Sequence, residues 1–128
     1  MAARPQTQLK IVDLNAGMPS VEEAKRRLLE SLYVPRGASG PVLKIIHGYG
    51  SSGTGGAIRE AIRELTGQWL REGKVLAVIR GEDWSIFDPA SQGLRQRYSF
   101  LKNEPDLDRG NAGITIVEFP ADTSTIFR

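Results

Sequence analysis

Two polar residues follow short apolar runs, and both have side chains that can handle protons or phosphates. Asp13 comes after LKIV at 9–12, and His47 comes after VLKII at 42–46. A carboxylate can activate water or a hydroxyl, and an imidazole with a pKa near about 6.5 exchanges protons at neutral pH. His47 is the one histidine of the chain, and there is no cysteine. Disulfides, thiolate chemistry and zinc sites built from Cys and His are therefore excluded.

Each of these residues also has a structural interpretation. Asp13 can cap the turn that follows it, and His47 can hydrogen bond the backbone of the next loop. A Ser-His-Asp hydrolase is disfavoured, although Ser51 and Ser52 follow His47 closely, because the chain contains no G-x-S-x-G motif. Neither residue is specific evidence for catalysis by itself.

A glycine-rich segment, GYGSSGTGG at 48–56, precedes apolar residues at helical spacing. A flexible backbone at a helix N-terminus can direct several N–H groups at one anion, so phosphate is the expected ligand. The segment has neither the Lys-Ser/Thr ending of a Walker A loop nor the GxGxxG spacing of a dinucleotide fold. A turn that only joins a strand to a helix is the alternative.

Four apolar runs predict strands, at 9–14, 42–48, 74–80 and 114–119. Ser20 and Glu23 form a capping-box pattern at the start of a helix that must end before Pro35. A second helix follows the glycine segment and stops near Gly73, and a short helix is expected around 89–101 after Asp88. The alternation predicts an α/β fold of βαβαββ order, with the first three strands parallel in a four-strand mixed sheet.

Parallel strands one and two would end at the same edge of the sheet, which we call the rim. Open α/β sheets bind ligands at such an edge. The composition, with 128 residues, 40% hydrophobic and 25% charged, predicts a single globular domain over 1–128. Its core is expected at about 9–119, with flexible termini. No signal peptide or membrane span is seen, so a cytoplasmic location without membrane is expected.

A long excursion is expected at about 82–112, between strands three and four. It mixes aromatic and basic residues that can stack bases and hold phosphates, although packing of these aromatics onto the core is the simpler interpretation. Residues 82–110 contain six acidic and four basic side chains, a balance of −2. The chain as a whole is +2, so the remainder is +4. Anion binding is therefore expected at the rim and the helices.

Five motifs resemble, in order and spacing, the Smr (small MutS-related) domain: VDLN at 12–15, VEEA at 21–24, IIHGYG at 45–50, AIREAI at 57–62 and GNAGITIVEF at 110–119. The most specific part is the HGxG element followed by a helix that opens with Ile-Arg. The resemblance covers roughly residues 9–119. It implies a two-layer α/β sandwich, similar to the C-terminal domain of translation initiation factor three. It also implies binding or nicking of RNA or DNA, and several members act at ribosomes.

The family's site residues can be placed by position on this chain. Its LDxH element falls on 12–15 and its HGxG element on 47–50. The resemblance implies Asp13 and His47 as catalytic residues, and as nucleic-acid-binding residues Asn15, His47, Gly48, Tyr49, Gly50 and Arg59. Asn15 stands where the family has its first histidine, and an amide cannot shuttle protons at neutral pH.

We therefore expect a domain that binds nucleic acid, RNA or DNA, through the rim, with the ribosome as a candidate partner. The first alternative is a slow endonuclease in which Asp13 activates water, a hydroxyl or a bound metal and His47 transfers the proton. The loss of one proton carrier costs such an enzyme roughly 10²- to 10⁴-fold. A second alternative is a protein-interaction domain that uses residues 84–108. No cofactor is expected, except a divalent cation such as magnesium for a nuclease.

Overall fold

The computed structural model describes residues 9–32, 41–48 and 55–120, along which strands and helices alternate. The strands are β1 (Lys10–Asp13), β2 (Val42–Ile46), β3 (Ala77–Arg80) and β4 (Ile114–Glu118). The helices are α1 (Val21–Ser31), α2 (Gly55–Arg71) and α3 (Pro89–Arg97), with two short 3-10 helices at Gly81–Asp83 and Ser99–Asn103. The predicted α/β class is confirmed. Within the described ranges no helix is long and apolar enough to cross a membrane.

The four strands form one mixed sheet in the order β1-β2-β4-β3. β1 is parallel to β2, and β4 is antiparallel to both β2 and β3. The first three strands therefore run in the same direction, as the sequence predicts, and β4 lies between β2 and β3 in the opposite direction. The carboxyl ends of β1 and β2 meet at one edge of the sheet, which is the rim.

Side chains cap the first and third helices at the positions that the sequence indicates. Ser20 Oγ accepts a hydrogen bond from Glu23 N, and Glu23 Oε1 accepts one from Ser20 N, both at 3.1 Å. Asp88 Oδ2 accepts from Ser91 N at 2.9 Å, with Pro in the first turn of α3. The helix expected around 89–101 ends at Arg97, because the extended backbone of the next residue redirects the chain into the 3-10 helix.

The two helices α1 and α2 pack on one side of the sheet, which we call the helix face. Successive side chains of a strand alternate between the two faces of a sheet. The apolar side chains of β1, β2 and β4 that point to the helix face pack with those of α1 and α2. Together they form one buried cluster, which includes Leu28, Leu43, Ile45, Ile62 and Val117. This layer of sheet and paired helices is the part of the fold that the strand and helix pattern anticipates.

The opposite side of the sheet, the second face, is covered by residues 81–113. Strand side chains that point to the second face, such as Ile79 and Ile116, form a second buried cluster with Trp84, Leu94 and Leu101. Trp84 and Leu101 are completely buried. The expected two-layer sandwich is not confirmed, because both faces of the sheet are covered. The aromatic-rich excursion packs onto the core instead of standing apart from it, although Phe87 remains exposed.

Two charged residues of the central strands point into the second face and are neutralised there by the excursion. Lys44 Nζ contacts Glu104 Oε2 at 2.6 Å and also pairs with Asp106. Glu104 accepts a further hydrogen bond from Trp84 Nε1 at 2.9 Å. Burial opposes ionisation of Asp106, but its hydrogen bonds outweigh burial and lower its pKa. The net result is a hydrogen-bonded cluster of one cation and two carboxylates, in which Lys44 and Glu104 are buried and Asp106 is partly exposed.

The second charged residue is Glu118, which is buried and has two partners. Arg97 donates to both of its carboxylate oxygens, at 3.1 and 2.7 Å, and Tyr98 Oη donates to Oε2 at 2.8 Å. Burial and this hydrogen bond to Glu118 raise the pKa of Tyr98 to about 12. Two charged clusters thus attach the excursion to β2 and β4.

We predict that Lys44→Met destabilises the protein by roughly 3 to 5 kcal/mol, because it leaves the buried Glu104 carboxylate without its cation. The matched control is Arg80→Met, which breaks an exposed ion pair with Asp83 and should cost less than about 1 kcal/mol. Urea unfolding followed by tryptophan fluorescence measures both. Equal, small losses in the two variants would show that the Lys44 cluster does not hold the excursion on the sheet.

Candidate functional site

The rim brings together Asn15 and Gly48, which the sequence places in separate motifs. Leu14 N donates to Ile46 O at 2.7 Å, so the pairing of β1 with β2 continues one residue past β1. Gly48 has a φ of +77°, and a Cβ on it would lie 3.0 Å from Asn15 Nδ2. The positive φ angle therefore favours glycine at this position, and the close approach of Asn15 adds to that preference.

Asp13 lies at the rim with an exposed side chain that closes a turn. Its Oδ1 accepts a hydrogen bond from the backbone N–H of Asn15 at 2.8 Å. The register partner of Asp13 is Ile46, which packs with the cluster of the second face. Because paired residues point to the same side of a sheet, the Asp13 side chain is directed to the second face.

His47 is completely buried, and both of its ring nitrogens have partners. Nδ1 lies 2.8 Å from Gly48 O, and Nε2 lies 2.9 Å from Thr115 Oγ1. A carbonyl oxygen can only accept, so Nδ1 carries the proton and Nε2 accepts the Thr115 hydroxyl hydrogen. Burial lowers the pKa of His47 to about 4, the hydrogen bond to Gly48 opposes this shift, and the charges of Arg63 and Arg59 add to it. The imidazole is therefore neutral at pH 7.

The two candidate catalytic side chains, Asp13 and His47, project from opposite faces of the sheet. Thr115, which hydrogen bonds His47, is the register partner of Ile45, and Ile45 belongs to the cluster of the helix face. His47 is thus directed to the helix face, whereas Asp13 is directed to the second face. Alternation along two strands separates them even though both follow the ends of neighbouring strands. Strand-end position alone cannot reveal this difference.

Arg59 and Arg63 lie on one side of α2, four residues apart, close to His47. The charges of both act on the His47 imidazole. Arg63 forms a two-pronged ion pair with Glu82, at 2.6 and 2.8 Å. Among the residues that the structure describes, Arg59 forms no ion pair, and it is half-buried. Arg59 therefore supplies positive charge beside the rim that no described acidic side chain neutralises.

Two further features add positive charge near the rim. The first turn of α2 contains no acidic residue, so its positive helix end is not masked by side chains of that turn. Arg27 of α1 donates to Ala16 O at 2.7 Å, which places a guanidinium against the turn that follows Asn15. A helix N-terminus with arginines beside it favours an anion.

Three residues of the candidate site are not singled out by the sequence: Arg63, Glu82 and Thr115, although Thr115 lies within the motif at 110–119. Arg63 follows Arg59 by one helical turn, and this spacing is the signal that could have found it. Thr115 is an isolated hydroxyl in an apolar strand, and nothing local links Glu82 to α2.

Two further expectations concern the glycine segment and a bound metal ion. Tyr49 and Gly50, expected at the rim, lie outside the described residues, as do most of the glycine segment and the candidate helix caps Ser52 and Thr54. Across the described part of the chain, no three acidic or histidine side chains are grouped closely enough to hold a metal ion.

Comparisons of the chain with models of protein families, with curated proteins and with solved structures returned no match. The geometry of the rim and the sequence motifs are therefore the basis for assigning a function.

We predict that the free energy of unfolding decreases as the pH falls from 6.5 to 4. The folded protein lowers the pKa of His47 from 6.5 to about 4, so the stability gained by keeping the ring neutral is present above pH 6.5 and is lost as the pH falls through 4. At 1.36 kcal/mol per pKa unit, the loss approaches about 3 kcal/mol. Urea titrations from pH 7 to 4 measure it.

His47→Gln is the control, because it removes the one histidine. Its unfolding free energy should stay nearly flat between pH 5 and 6.5, where carboxyl groups of ordinary pKa are already ionised. An NMR titration of the wild-type imidazole with a midpoint near 6.5 would contradict the buried, neutral ring.

Proposed function

We propose that this chain is a nucleic-acid-binding domain that docks RNA or DNA on the rim through Asn15, Gly48 and Arg59. The proposal extends to Tyr49 and Gly50 through the HGYG element. The observation that carries it is the position of Arg59, which has no described acidic partner and lies beside an α2 first turn without acidic residues. Cationic side chains at a helix N-terminus are suited to phosphate.

The resemblance to the Smr domain supports the same assignment. In that interpretation the sheet with α1 and α2 corresponds to the two-layer family core, and residues 81–113 are an addition on its second face. The family's association with ribosomes and messenger RNA makes structured RNA, in a cytoplasmic setting, the first ligand to test. Asn15 offers an amide that can hydrogen bond a phosphate or a base edge, which suits recognition.

Binding is favoured over cleavage by the state of His47. Its ring is buried, both nitrogens are hydrogen bonded within the protein, and a pKa of about 4 keeps it a poor proton donor at neutral pH. Asp13 is directed to the other face of the sheet, and its Oδ1 is bonded to Asn15 N. A general acid and base must reach the same phosphodiester, and the opposite directions of these two side chains support binding over cleavage.

We predict that Arg59→Ala weakens binding of a fluorescently labelled RNA hairpin about five- to tenfold. The slope of log affinity against log salt concentration should also become shallower, by roughly the amount that one phosphate contact contributes. Fluorescence anisotropy at several salt concentrations measures both, with a DNA hairpin of the same sequence as a second probe. Arg71→Ala is the matched control, since it removes an arginine from the other end of the same helix. Equal affinity of the two variants, or no binding by the wild type at low salt, would refute the proposal.

We also predict that the purified protein does not cleave labelled RNA or DNA, single- or double-stranded, with or without magnesium. The comparison uses wild type, Asp13→Asn and Asn15→His, the last of which returns an imidazole to the rim beside Gly48. Gel electrophoresis of end-labelled substrate is the measurement. Cleavage by the wild type that disappears in Asp13→Asn would establish the endonuclease alternative. Cleavage confined to Asn15→His would identify Asn15 as the reason that this chain binds without cutting.

A further inference from the structure

We propose that Thr115 is a positioning residue for the rim: its buried hydroxyl connects Arg63 to His47, and this connection holds Gly48 and α2 in the arrangement that nucleic acid binds. The inference rests on the proposed function, because it assigns a role in that same site. Thr115 itself is completely buried within β4. It therefore acts through its neighbours and does not touch the ligand.

The connection is a directed series of hydrogen bonds. Arg63 Nε–H points at Thr115 Oγ1 from 3.5 Å, and the Thr115 hydroxyl donates to His47 Nε2 at 2.9 Å. His47 Nδ1–H then donates to Gly48 O at 2.8 Å. Each donor and acceptor in the series has one role that is compatible with its neighbours, because arginine only donates and a carbonyl only accepts. The hydroxyl is the group that can both accept from arginine and donate to imidazole.

A hydroxyl at this position needs an explanation. Thr115 lies on the helix face, where Val117 is the next β4 residue of the same parity and belongs to the apolar cluster. Valine has nearly the same shape as threonine, and a buried hydroxyl without a partner in such a place is destabilising. The bonds to His47 and Arg63 offset that cost. Packing alone would favour valine here.

The series controls the rim through the position of the His47 ring. Without the Thr115 hydroxyl, Nε2 is a buried acceptor with no donor, whereas Nδ1 keeps its proton because Gly48 O can only accept. The ring must then move to find another donor for Nε2, and its bond to Gly48 O moves with it. Gly48, whose N–H is bonded to Gly113 O at 3.0 Å, would have to shift at the point where it contacts Asn15.

The same series also fixes α2. Arg63 donates to the backbone carbonyls of Ala112 and Ile114 as well as to Glu82, so one side chain attaches the helix to the start of β4. Arg59 lies one turn earlier on that side of α2. A change in how Arg63 meets β4 therefore rotates or displaces the arginine that is proposed to contact phosphate.

The experiment compares Thr115→Val, Thr115→Ser and the wild type for binding of the labelled RNA hairpin. We expect Thr115→Val to bind about tenfold more weakly and Thr115→Ser to remain within about twofold of the wild type. Thr66→Val is the matched control: it removes another fully buried hydroxyl, which bonds back to Ile62 O within α2, and should leave affinity unchanged.

Nitrogen-15 NMR of the imidazole is the second readout, and it has one signal pair because the chain has one histidine. We expect protonation on Nδ1 in all four proteins, and the signal of the unprotonated Nε2 to move, through loss of its hydrogen-bond donor, in Thr115→Val alone. A general loss of packing would not produce this change with rescue by serine. If Thr115→Val does not fold, the wild-type spectrum decides, since a proton on Nε2 overturns the series.

The outcomes separate the two proposals. Failure of the wild type to bind RNA or DNA refutes the proposed function, and the positioning role with it. Binding by the wild type that Thr115→Val leaves unchanged refutes only the positioning role. Equal weakening by Thr115→Val and Thr66→Val also refutes it, because the effect would then belong to any buried hydroxyl.

Discussion

Two charges that the central strands carry into the interior of the molecule determine its architecture. Lys44 of β2 and Glu118 of β4 both point into the second face, and both are almost completely buried. Removing an ion from water costs several kcal/mol unless partners with good geometry compensate. Those partners come from residues 97–106. The excursion therefore both buries and pairs these two charges, and without it they would be hydrated while apolar residues such as Ile79 and Ile116 would be exposed to water.

This pairing changes how the charge of the chain is understood. Lys44 contributes to the excess of positive charge outside the excursion, and Glu104 and Asp106 contribute to the negative balance within it. The charge of Lys44 is cancelled in this cluster, which keeps one net negative charge. What remains for a ligand is the surface charge at the rim. The excursion reaches the rim as well, because Glu82 at its start bonds Arg63. The two sides of the sheet are thus connected through residues that no local motif contains.

Sequence periodicity is sufficient to predict the helices and strands and the common direction of the first three strands. The capping box at Ser20 and the Asp-Pro start of α3 are local signals, and local hydrogen bonds account for them. The coverage of the second face cannot be predicted from local sequence patterns, because it depends on contacts between residues far apart in sequence, such as Lys44 and Glu104. β3 is shorter than the apolar run at 74–80, since Val75 packs in the helix-face cluster before the strand begins.

The candidate site was predicted in the same uneven way. The rule that parallel strands end at a common edge placed Asn15 beside Gly48 correctly. It said nothing of which face each side chain takes, and this is what separates Asp13 from His47. The burial of His47 could not be inferred either, since its partner Thr115 is distant in sequence and belongs to a strand whose pattern is simply apolar.

The position of β4 has a consequence for how the chain reaches its native state. β4 is the last of the described strands in sequence but lies inside the sheet, between β2 and β3. While residues 114–118 have not yet emerged from the ribosome, the nascent chain therefore exposes the edges of β2 and β3 that pair with β4. Unpaired strand edges attract other chains. Sheet assembly must wait for synthesis to pass this strand, and it then requires closure over the residues between β3 and β4. The vulnerable period for aggregation is consequently the interval before β4 emerges, when most of the hydrophobic surface is already present.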